Sequence, residues 1–319
     1  CVNSEKAFLA EVGFFSAPLA CGGITPYNDV NKEQVEPHGG ISMQFTKWQG
    51  CGNDFIVLDA LDGIHRNYAL MAQKLCDRHY GIGADGILAI EPSDKADFRM
   101  RVINADGSEA EMCGNGIRCV SRYLYDNKLT VKKEFQMETG AGILVPKIME
   151  EGGKVTGVRV DMGEPRLLAA EIPVTGYGDG KVVDENIEVL GKVYKMTCVS
   201  MGNPHAVVFV DAIKSFPIHE VGTHFEHHAA FPKRTNTEFV EVLDRGHVRM
   251  RVWERGAAVT LACGTGACAT LVASVLTGRT NRKAEVQLDG GTLLIEWAEN
   301  NHVLMTGPAE LVFTGEVEE

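Results

Sequence analysis

Two cysteine and glycine motifs carry the residue types best suited to chemistry in this sequence. Residues 113–116 read Cys-Gly-Asn-Gly, and residues 263–266, which lie 150 positions further on, read Cys-Gly-Thr-Gly. A segment Arg-Met-Arg-Val precedes each motif, at residues 99–102 and 249–252, so it recurs at the same offset. Two motifs preserved at one offset indicate an internal duplication.

Each motif stands just before a run that is typical of a helix, residues 117–128 and 267–276. Glycines in that position let the backbone turn tightly and direct free N–H groups at a ligand. A cysteine there feels the positive end of the helix dipole, which favours the thiolate. The alternative is that Cys113 and Cys263 are two buried thiols inherited through the duplication.

If the two halves face each other about a pseudo-twofold axis, Cys113 and Cys263 can meet across a cleft. Two facing thiols suit the inversion of a carbon acid, in which a thiolate removes a proton from one face and a thiol returns one to the other. A carbanion beside a carboxylate places charge on the carboxylate oxygens. The N–H groups of residues 114–116 and 264–266 would stabilise that charge.

Composition and charge restrict the class of protein. The 319 residues fit two domains better than one, and a net charge of −12 with a pI near 5.4 argues against nucleic acid or an anionic membrane as a partner. No apolar run approaches the length that crosses a bilayer. Nine cysteines, an odd number without framework spacing, favour a reducing compartment.

Three further patterns have simpler interpretations. The cysteine pairs 113/119 and 263/268 have five and four residues between them, beyond and at the limit of the two to four usual for structural zinc, and on a helix the partners would point to different faces. No metal is therefore expected, and Cys119 and Cys268 are interpreted as core residues. Residues 223–228, Thr-His-Phe-Glu-His-His, are interpreted as a solvated loop. Residues 81–86 match G-x-G-x-x-G, but a strand follows rather than precedes them, which favours a turn.

The elements expected around the motifs are mostly strands. Residues 1–42 have no sustained period and are interpreted as a flexible leader left after processing. From residue 43 the pattern predicts strand, glycine-rich loop and strand, then a helix over 68–78, and strands with glycine-rich turns over 130–163. The run from 267 to 276 carries no charge, which predicts a helix that is covered on all sides.

Specific motifs make the chain similar to the diaminopimelate epimerase family, whose members interconvert L,L- and meso-2,6-diaminopimelate without a cofactor in lysine biosynthesis. They are GNDF at 52–55, NADGSEAEMCGNGIRC at 104–119, SMGNPHAV at 200–207, RTNTEFVEVL at 234–243, and ERG with LACGTGACA at 254–269. The resemblance implies an α+β fold of two pseudo-symmetric domains, each a curled mixed β-sheet or barrel around a central helix. The active site would lie in the cleft between domains 43–162 and 163–319, and the last strand would return to the first domain.

The resemblance also assigns roles by position. Cys113 and Cys263 become the acid/base pair, and His205 and Glu254 fall where the family tunes the thiols. No metal or cofactor is implied. The residues expected to bind substrate are Asn53, Asn104, Gly114, Asn115, Asn203, Asn236, Glu254, Arg255, Gly264 and Thr265.

Some positions depart from the common family pattern. Many bacterial members carry Gln where this chain has Gly86, and Gln49 and Cys51 replace the usual His and Leu. Residues 83–86 and 234–239 resemble members from plants and other photosynthetic lineages, which with the leader predicts a plastid stroma, a bacterial-type cytoplasm being the alternative. The expected partners are a small-molecule substrate and a second copy of the chain. A proline-racemase-like enzyme and a non-catalytic anion-binding module of the same fold remain the alternative functions.

Overall fold

The computed structural model describes residues 42–318, which belong to one compact unit. The predicted leader lies outside the described residues, apart from Ser42. The strands, in chain order, are β1 (Ser42–Gly50), β2 (Asn53–Asp59), β3 (Gly86–Glu91), β4 (Phe98–Asn104), β5 (Glu109–Ala110), β6 (Met137–Thr139), β7 (Gly142–Leu144), β8 (Lys147–Glu151), β9 (Lys154–Asp161), β10 (Glu185–Val189), β11 (Lys192–Ser200), β12 (Pro204–Phe209), β13 (Asn236–Asp244), β14 (His247–Glu254), β15 (Ala258–Thr260), β16 (Lys283–Leu288), β17 (Gly291–Trp297), β18 (Val303–Gly307) and β19 (Glu310–Glu318).

Four α-helices occur among the described residues, and a short 3₁₀ turn, Ile213–Ser215, precedes the third. The helices are α1 (Tyr68–Leu75), α2 (Gly114–Asp126), α3 (Ile218–Glu226) and α4 (Gly264–Leu276).

Two mixed sheets carry these strands. The first runs β19-β1-β2-β3-β4-β6-β7 with β5 beside β4, and the second runs β10-β11-β12-β13-β14-β16-β17-β18-β9-β8 with β15 beside β14. The predicted α+β class is confirmed. Within residues 42–318, however, neither strand order closes on itself, so the sheets are curled but are not barrels.

The duplication predicted from the cysteine motifs is visible in the strand order. In the first sheet β2 pairs parallel with β3, and β4 pairs parallel with β6; in the second, β12 pairs parallel with β13, and β14 with β16. The two Arg-Met-Arg-Val segments lie in β4 and β14, and the two cysteine motifs open α2 and α4. Each half is therefore built on one plan.

Apolar runs in the strands follow from burial on both faces of the sheets. In β2, Phe55 and Val57 face the core around α2, while Ile56 and Leu58 face the core beneath α1. Successive side chains of a strand point to opposite faces, so a strand covered on both sides reads as a continuous apolar run. The second sheet repeats this arrangement, with α4 on one face and α3 on the other.

The central helices lie where the duplication predicts. Helix α4 is buried along residues 266–274 and contacts strands from β11 to β18, so the prediction that it is covered on all sides is confirmed. Cys119 and Cys268 are fully buried in α2 and α4, which confirms their interpretation as core residues. The hydrophobic core that contains both helices also includes residues from both sheets, so the two halves share it.

Strands cross between the halves at the end of each half. The final strand β19 pairs with β1 in the first sheet, and the hairpin β8–β9 joins the second sheet by pairing with β18. The change of sheet therefore falls between β7 and β8, before the predicted domain boundary at residues 162 and 163. That boundary stays a prediction about domains.

Two local predictions need correction. Residues 223–226 are not a solvated loop but the last turn of α3, where Phe225 and Glu226 are buried. The helix predicted over 68–78 ends at Leu75. Residues 81–85 contain no helix or strand and lead into β3, as the interpretation of a turn requires.

Gly86 provides a stability test. A methyl group added there would lie 2.5 Å from the carbonyl oxygen of Ile103, so the backbone must shift to accept any side chain, including the glutamine of many bacterial family members. We expect Gly86→Ala to lower the free energy of unfolding by about 1–3 kcal/mol. Urea unfolding followed by circular dichroism measures it, with Gly180→Ala, whose methyl group meets open space, as the control. Equal midpoints for the two variants would contradict the steric argument.

Candidate active site

The first residues of α2 and α4 meet inside the protein. A methyl group added to Gly264 would lie 3.9 Å from the Cα of Gly114 and 3.1 Å from Sδ of Met305, while one added to Gly114 would lie 3.0 Å from Cε of Met305. A side chain at either glycine would displace the end of Met305. The positive ends of two helix dipoles are thereby directed into one region, which favours an anion there.

Cys113 occupies the N-cap of α2 and is partly exposed. Its sulfur accepts a hydrogen bond from the Gly116 N–H at 3.4 Å, and its thiol donates to Oδ1 of Asn53 at 3.7 Å. Nδ2 of Asn115 donates to the same Asn53 oxygen at 3.1 Å. Oδ1 of Asn115 is buried without a hydrogen-bond partner among the described residues, so it can accept one from a ligand.

Cys263 occupies the N-cap of α4 and is only 6% exposed. Its sulfur lies 3.5 Å from Oγ1 of Thr265. Two carboxylates stand close by. Oε1 of Glu238 and Sγ of Cys263 would lie 2.7 and 3.2 Å from a methyl group placed on Gly266, and Glu254 is within hydrogen-bonding range of the thiol.

Burial dominates the acidity of both thiols. It raises the pKa of Cys113, and the N–H groups of Gly116 and Asn115 offset it only in part. It raises the pKa of Cys263 well above the ordinary value, and the Glu254 and Glu238 carboxylates raise it further. Burial thus opposes the helix dipole, which was expected to favour the thiolate, and it raises the pKa of both thiols.

His205 is fully buried between two hydrogen-bond partners. Its Nδ1 lies 2.7 Å from Oε1 of Glu238, and its Nε2 lies 2.9 Å from Oδ1 of Asn203. The second oxygen of Glu238 is buried without a partner among the described residues. The ring therefore links the carboxylate beside Cys263 to an amide that was predicted to bind substrate.

Asn236 and Glu254 lie at the same end of neighbouring strands. Nδ2 of Asn236 donates to the Pro204 carbonyl at 2.8 Å, and its Oδ1 accepts from the Arg255 backbone N–H at 2.9 Å. The Arg255 guanidinium is exposed, with one nitrogen donating to the carbonyl of Lys233 at 3.1 Å. Oε1 of Glu254 accepts a hydrogen bond from Thr260, and burial raises the pKa of Glu254.

Asn53 is held from the opposite side by a charged network. Its Nδ2 donates to Asp85 at 2.7 Å, Asp85 pairs with Arg78 at 2.8 Å, and Arg78 pairs with Asp54 at 2.7 Å. Asn104, in contrast, is exposed and donates to Ser108 at 2.9 Å. The structure gives no hydrogen bond between Asn104 and another residue of the predicted site.

Sequence reasoning missed Glu238. It stands in the quoted segment 234–243, but no role was assigned to it, and a glutamate in an apolar strand gives no sign of its partner. The only available signal was the duplication, because Leu88 occupies the equivalent place 150 residues earlier. A charge at a position that is apolar in the other copy indicates a function that the copies do not share.

Comparisons with known proteins define the family. The family model described as diaminopimelate epimerase matches residues 45–168 and 197–312. The chain belongs to the diaminopimelate epimerase family. It is 55% identical over 283 residues to the diaminopimelate epimerase of Agathobacter rectalis, with 86% of this chain and 99% of that protein covered. It is 54% identical over 277 residues to that of Methanococcus maripaludis, covering 86% and 100%, and 50% identical over 285 residues to diaminopimelate epimerase 1 of a Nostoc species, covering 87% and 100%.

Solved structures of more distant proteins share the fold. A phenazine biosynthesis protein of the PhzF family from Bacillus anthracis superposes with a TM-score of 0.64 at 18% identity, covering 86% of this chain and 99% of that one. A hydroxyproline epimerase from Agrobacterium vitis gives a TM-score of 0.58 at 17% identity, covering 86% and 91%. The two-sheet architecture is thus common to proteins that differ widely in sequence.

The charge of Glu238 can be tested through Cys263. Because a nearby carboxylate raises the pKa of a thiol, Glu238→Gln should lower that of Cys263, so iodoacetamide should alkylate it faster at a given pH below the pKa. Mass spectrometry of peptides across a pH series measures this. Cys113 serves as the control in the same molecule. An unchanged pH profile for Cys263 would contradict the assignment.

Proposed function

We propose that this protein interconverts L,L- and meso-2,6-diaminopimelate without a cofactor, using Cys113 and Cys263 as the acid/base pair. Family membership supports the reaction. The observation that carries the residue assignment is the junction of α2 and α4, which brings the N-termini of two cysteine-capped helices together. The reacting carbon would lie between the thiols, and its carboxylate would face both helix starts.

In the proposed step, one thiolate removes the α-proton and the opposite thiol returns a proton to the other face. The electron pair left on carbon delocalises onto the carboxylate, where N–H groups of residues 114–116 and 264–266 stabilise it. The orphan oxygen of Asn115 suits the α-ammonium group, since an amide oxygen only accepts.

The raised thiol pKa values mean that the thiolate must be generated with help from a neighbouring group. Glu254 lies within hydrogen-bonding range of Cys263 and is itself an improved base, because burial raises its pKa. His205 acts less directly, by fixing Asn203 on one side and Glu238 on the other. A substrate carboxylate bound between the helix starts would bring a negative charge close to both thiols, so that only one of them would ionise at a time.

The second amino-acid head group of the substrate requires its own contacts. The exposed Arg255 guanidinium suits a carboxylate, and Glu254 suits an ammonium group. The remaining predicted contacts are assigned to the two head groups together: Asn53, Asn104, Asn203, Asn236, Gly114, Gly264 and Thr265. The proline-racemase-like alternative has no second head group and so no use for this set.

Assembly and compartment remain predictions. A homodimer is proposed from the resemblance. The plastid location has no support from the relatives compared above, which come from bacteria and an archaeon. Among residues 42–318, no helix is long and apolar enough to cross a membrane.

Hydrogen exchange tests the function and the mechanism together. The reaction is run from L,L-diaminopimelate in deuterated water, with no added cofactor, and stopped early. Early meso product should carry deuterium at the inverted centre while recovered substrate stays protiated, because a different thiol serves each face. Equal early label in substrate and product would exclude two separate bases. Exchange into proline would favour the racemase alternative, and no exchange at all would favour a binding module.

Removing either thiol should stop the reaction. Cys113→Ala and Cys263→Ala should each reduce kcat by about a thousandfold or more, because the remaining thiol cannot serve both faces. Cys198→Ala, at a buried cysteine in the core beneath α3, is the matched control and should stay active. Steady-state rates with unchanged far-ultraviolet dichroism give the measurement. Substantial turnover by either site variant would contradict the pair.

A further inference from the structure

Glu226, the last residue of α3, is a buried carboxylate that the mechanism does not use. It is 3% exposed and both of its oxygens are occupied. Oε2 accepts from Nε1 of Trp253 at 2.7 Å, and Oε1 accepts from the backbone N–H of Gly256 at 3.0 Å. Nη1 of Arg234 reaches Oε1 at 3.4 Å from the solvent side.

The two principal donors bracket the residues that are assigned to the second head group. Trp253 immediately precedes Glu254, and Gly256 immediately follows Arg255. A single carboxylate therefore holds both ends of the two-residue segment. The backbone N–H of Arg255 also donates a hydrogen bond to Oδ1 of Asn236.

Packing makes this attachment rigid. The indole of Trp253 lies against α3 at Gly222, where an added methyl group would come within 2.7 Å of the ring. The helix and the end of β14 are therefore in direct contact, and Glu226 adds directional bonds to that contact. Gly256 has a φ of +78°, a conformation that suits the turn after Arg255.

The chemistry requires a carboxylate at this position. Two N–H donors approach the two oxygens, and an ionised carboxylate is the side chain that accepts at both without presenting a donor. A glutamine would face one N–H with its own NH₂ group. The lowered pKa of Glu226, which Trp253, Gly256 and Arg234 favour against burial, agrees with the ionised form.

We propose that Glu226 is a positioning residue that fixes Arg255 through Trp253 and Gly256, and so sets the affinity for the substrate's second head group. This inference rests on the proposed function. It assigns a purpose to the histidine-rich segment at residues 223–228. Within this segment, Glu226 and not the histidines holds the turn that contains Arg255 in place.

Steady-state kinetics of Glu226→Gln test whether Glu226 positions Arg255. We expect KM for L,L-diaminopimelate to rise about tenfold while kcat changes less than about threefold, because Arg255 loses its fixed position, whereas Glu254 keeps its hydrogen bond from Thr260 beside Cys263. Glu220→Gln, which removes the same charge from an exposed site on the same helix, is the matched control and should leave both constants unchanged. An unchanged KM in Glu226→Gln would overturn the proposal.

A second variant keeps the test valid if Glu226→Gln fails to fold. Trp253→Phe removes the indole donor and part of the indole ring but keeps an aromatic ring against α3, so it should raise KM by a smaller factor. Where both single variants fold, the double variant should show less than the product of the single effects, because both act through one carboxylate. Independent effects, or parallel losses of kcat and melting temperature with KM unchanged, would assign Glu226 a structural role only.

The wild-type protein distinguishes this inference from the proposed function. If the wild-type protein does not epimerise diaminopimelate, the proposed function is wrong, and so is the role of Glu226 in binding that substrate. If the wild-type protein epimerises diaminopimelate and the Glu226 variants have the same KM, only the role of Glu226 is wrong.

Discussion

The close approach of two helix N-termini is the constraint on which the rest of this structure depends. Gly114 and Gly264 lie so close that a methyl group on Gly264 would touch the Cα of Gly114, and both glycines have Met305 as a neighbour. A larger side chain at either glycine would fill the space between the two helix starts, where the free N–H groups of both helices are directed. Each sheet is curled around its own helix, so the position of the junction follows from how the two halves pack on the shared core.

The strands that cross between the halves hold this junction together. β9 and β18 pair directly, with Val160 opposite Met305. The residue at the helix junction is therefore carried on the strand that joins the halves. Any rotation of one half against the other has to disturb this pairing or the pairing of β19 with β1, which explains why residues 42–318 form one compact unit.

Sequence reasoning predicted what depends on local pattern and on the repeat. The duplication, both central helices, their cysteine caps and the burial of α4 could be predicted, because periodicity and a constant offset are properties of the chain itself. The crossing of β8 and β9 into the second sheet could not, since long-range pairing leaves no local signal. The rise in the thiol pKa values could not be predicted either, because the helix dipole is visible in the sequence, whereas desolvation depends on the finished fold. Glu226 was misjudged for the same reason: most residues of the segment 223–228 are polar, but the partners of Glu226 are 27 and 30 residues away.

The duplication supplies two equivalent backbones, yet the two thiols stand in unequal electrostatic surroundings. Near Cys263 are Glu238 and Glu254; at the positions 150 residues earlier the first copy has Leu88 and Asn104.

Near Cys113, in the first copy, the notable buried charge is positive. Arg118, in the helix that Cys113 caps, is fully buried and bonds only uncharged groups, among them the Gly114 and Pro308 carbonyls, and its equivalent in the second copy is Cys268. The hydrogen bonds of Arg118 among residues 42–318 go to carbonyl oxygens and sulfur atoms, and its positive charge opposes the rise in the pKa of Cys113. Burying a guanidinium without a carboxylate partner lowers the free energy of unfolding, and only the first copy carries such a group. These unequal surroundings make Cys113 the easier of the two thiols to ionise, a bias that two identical halves would not have.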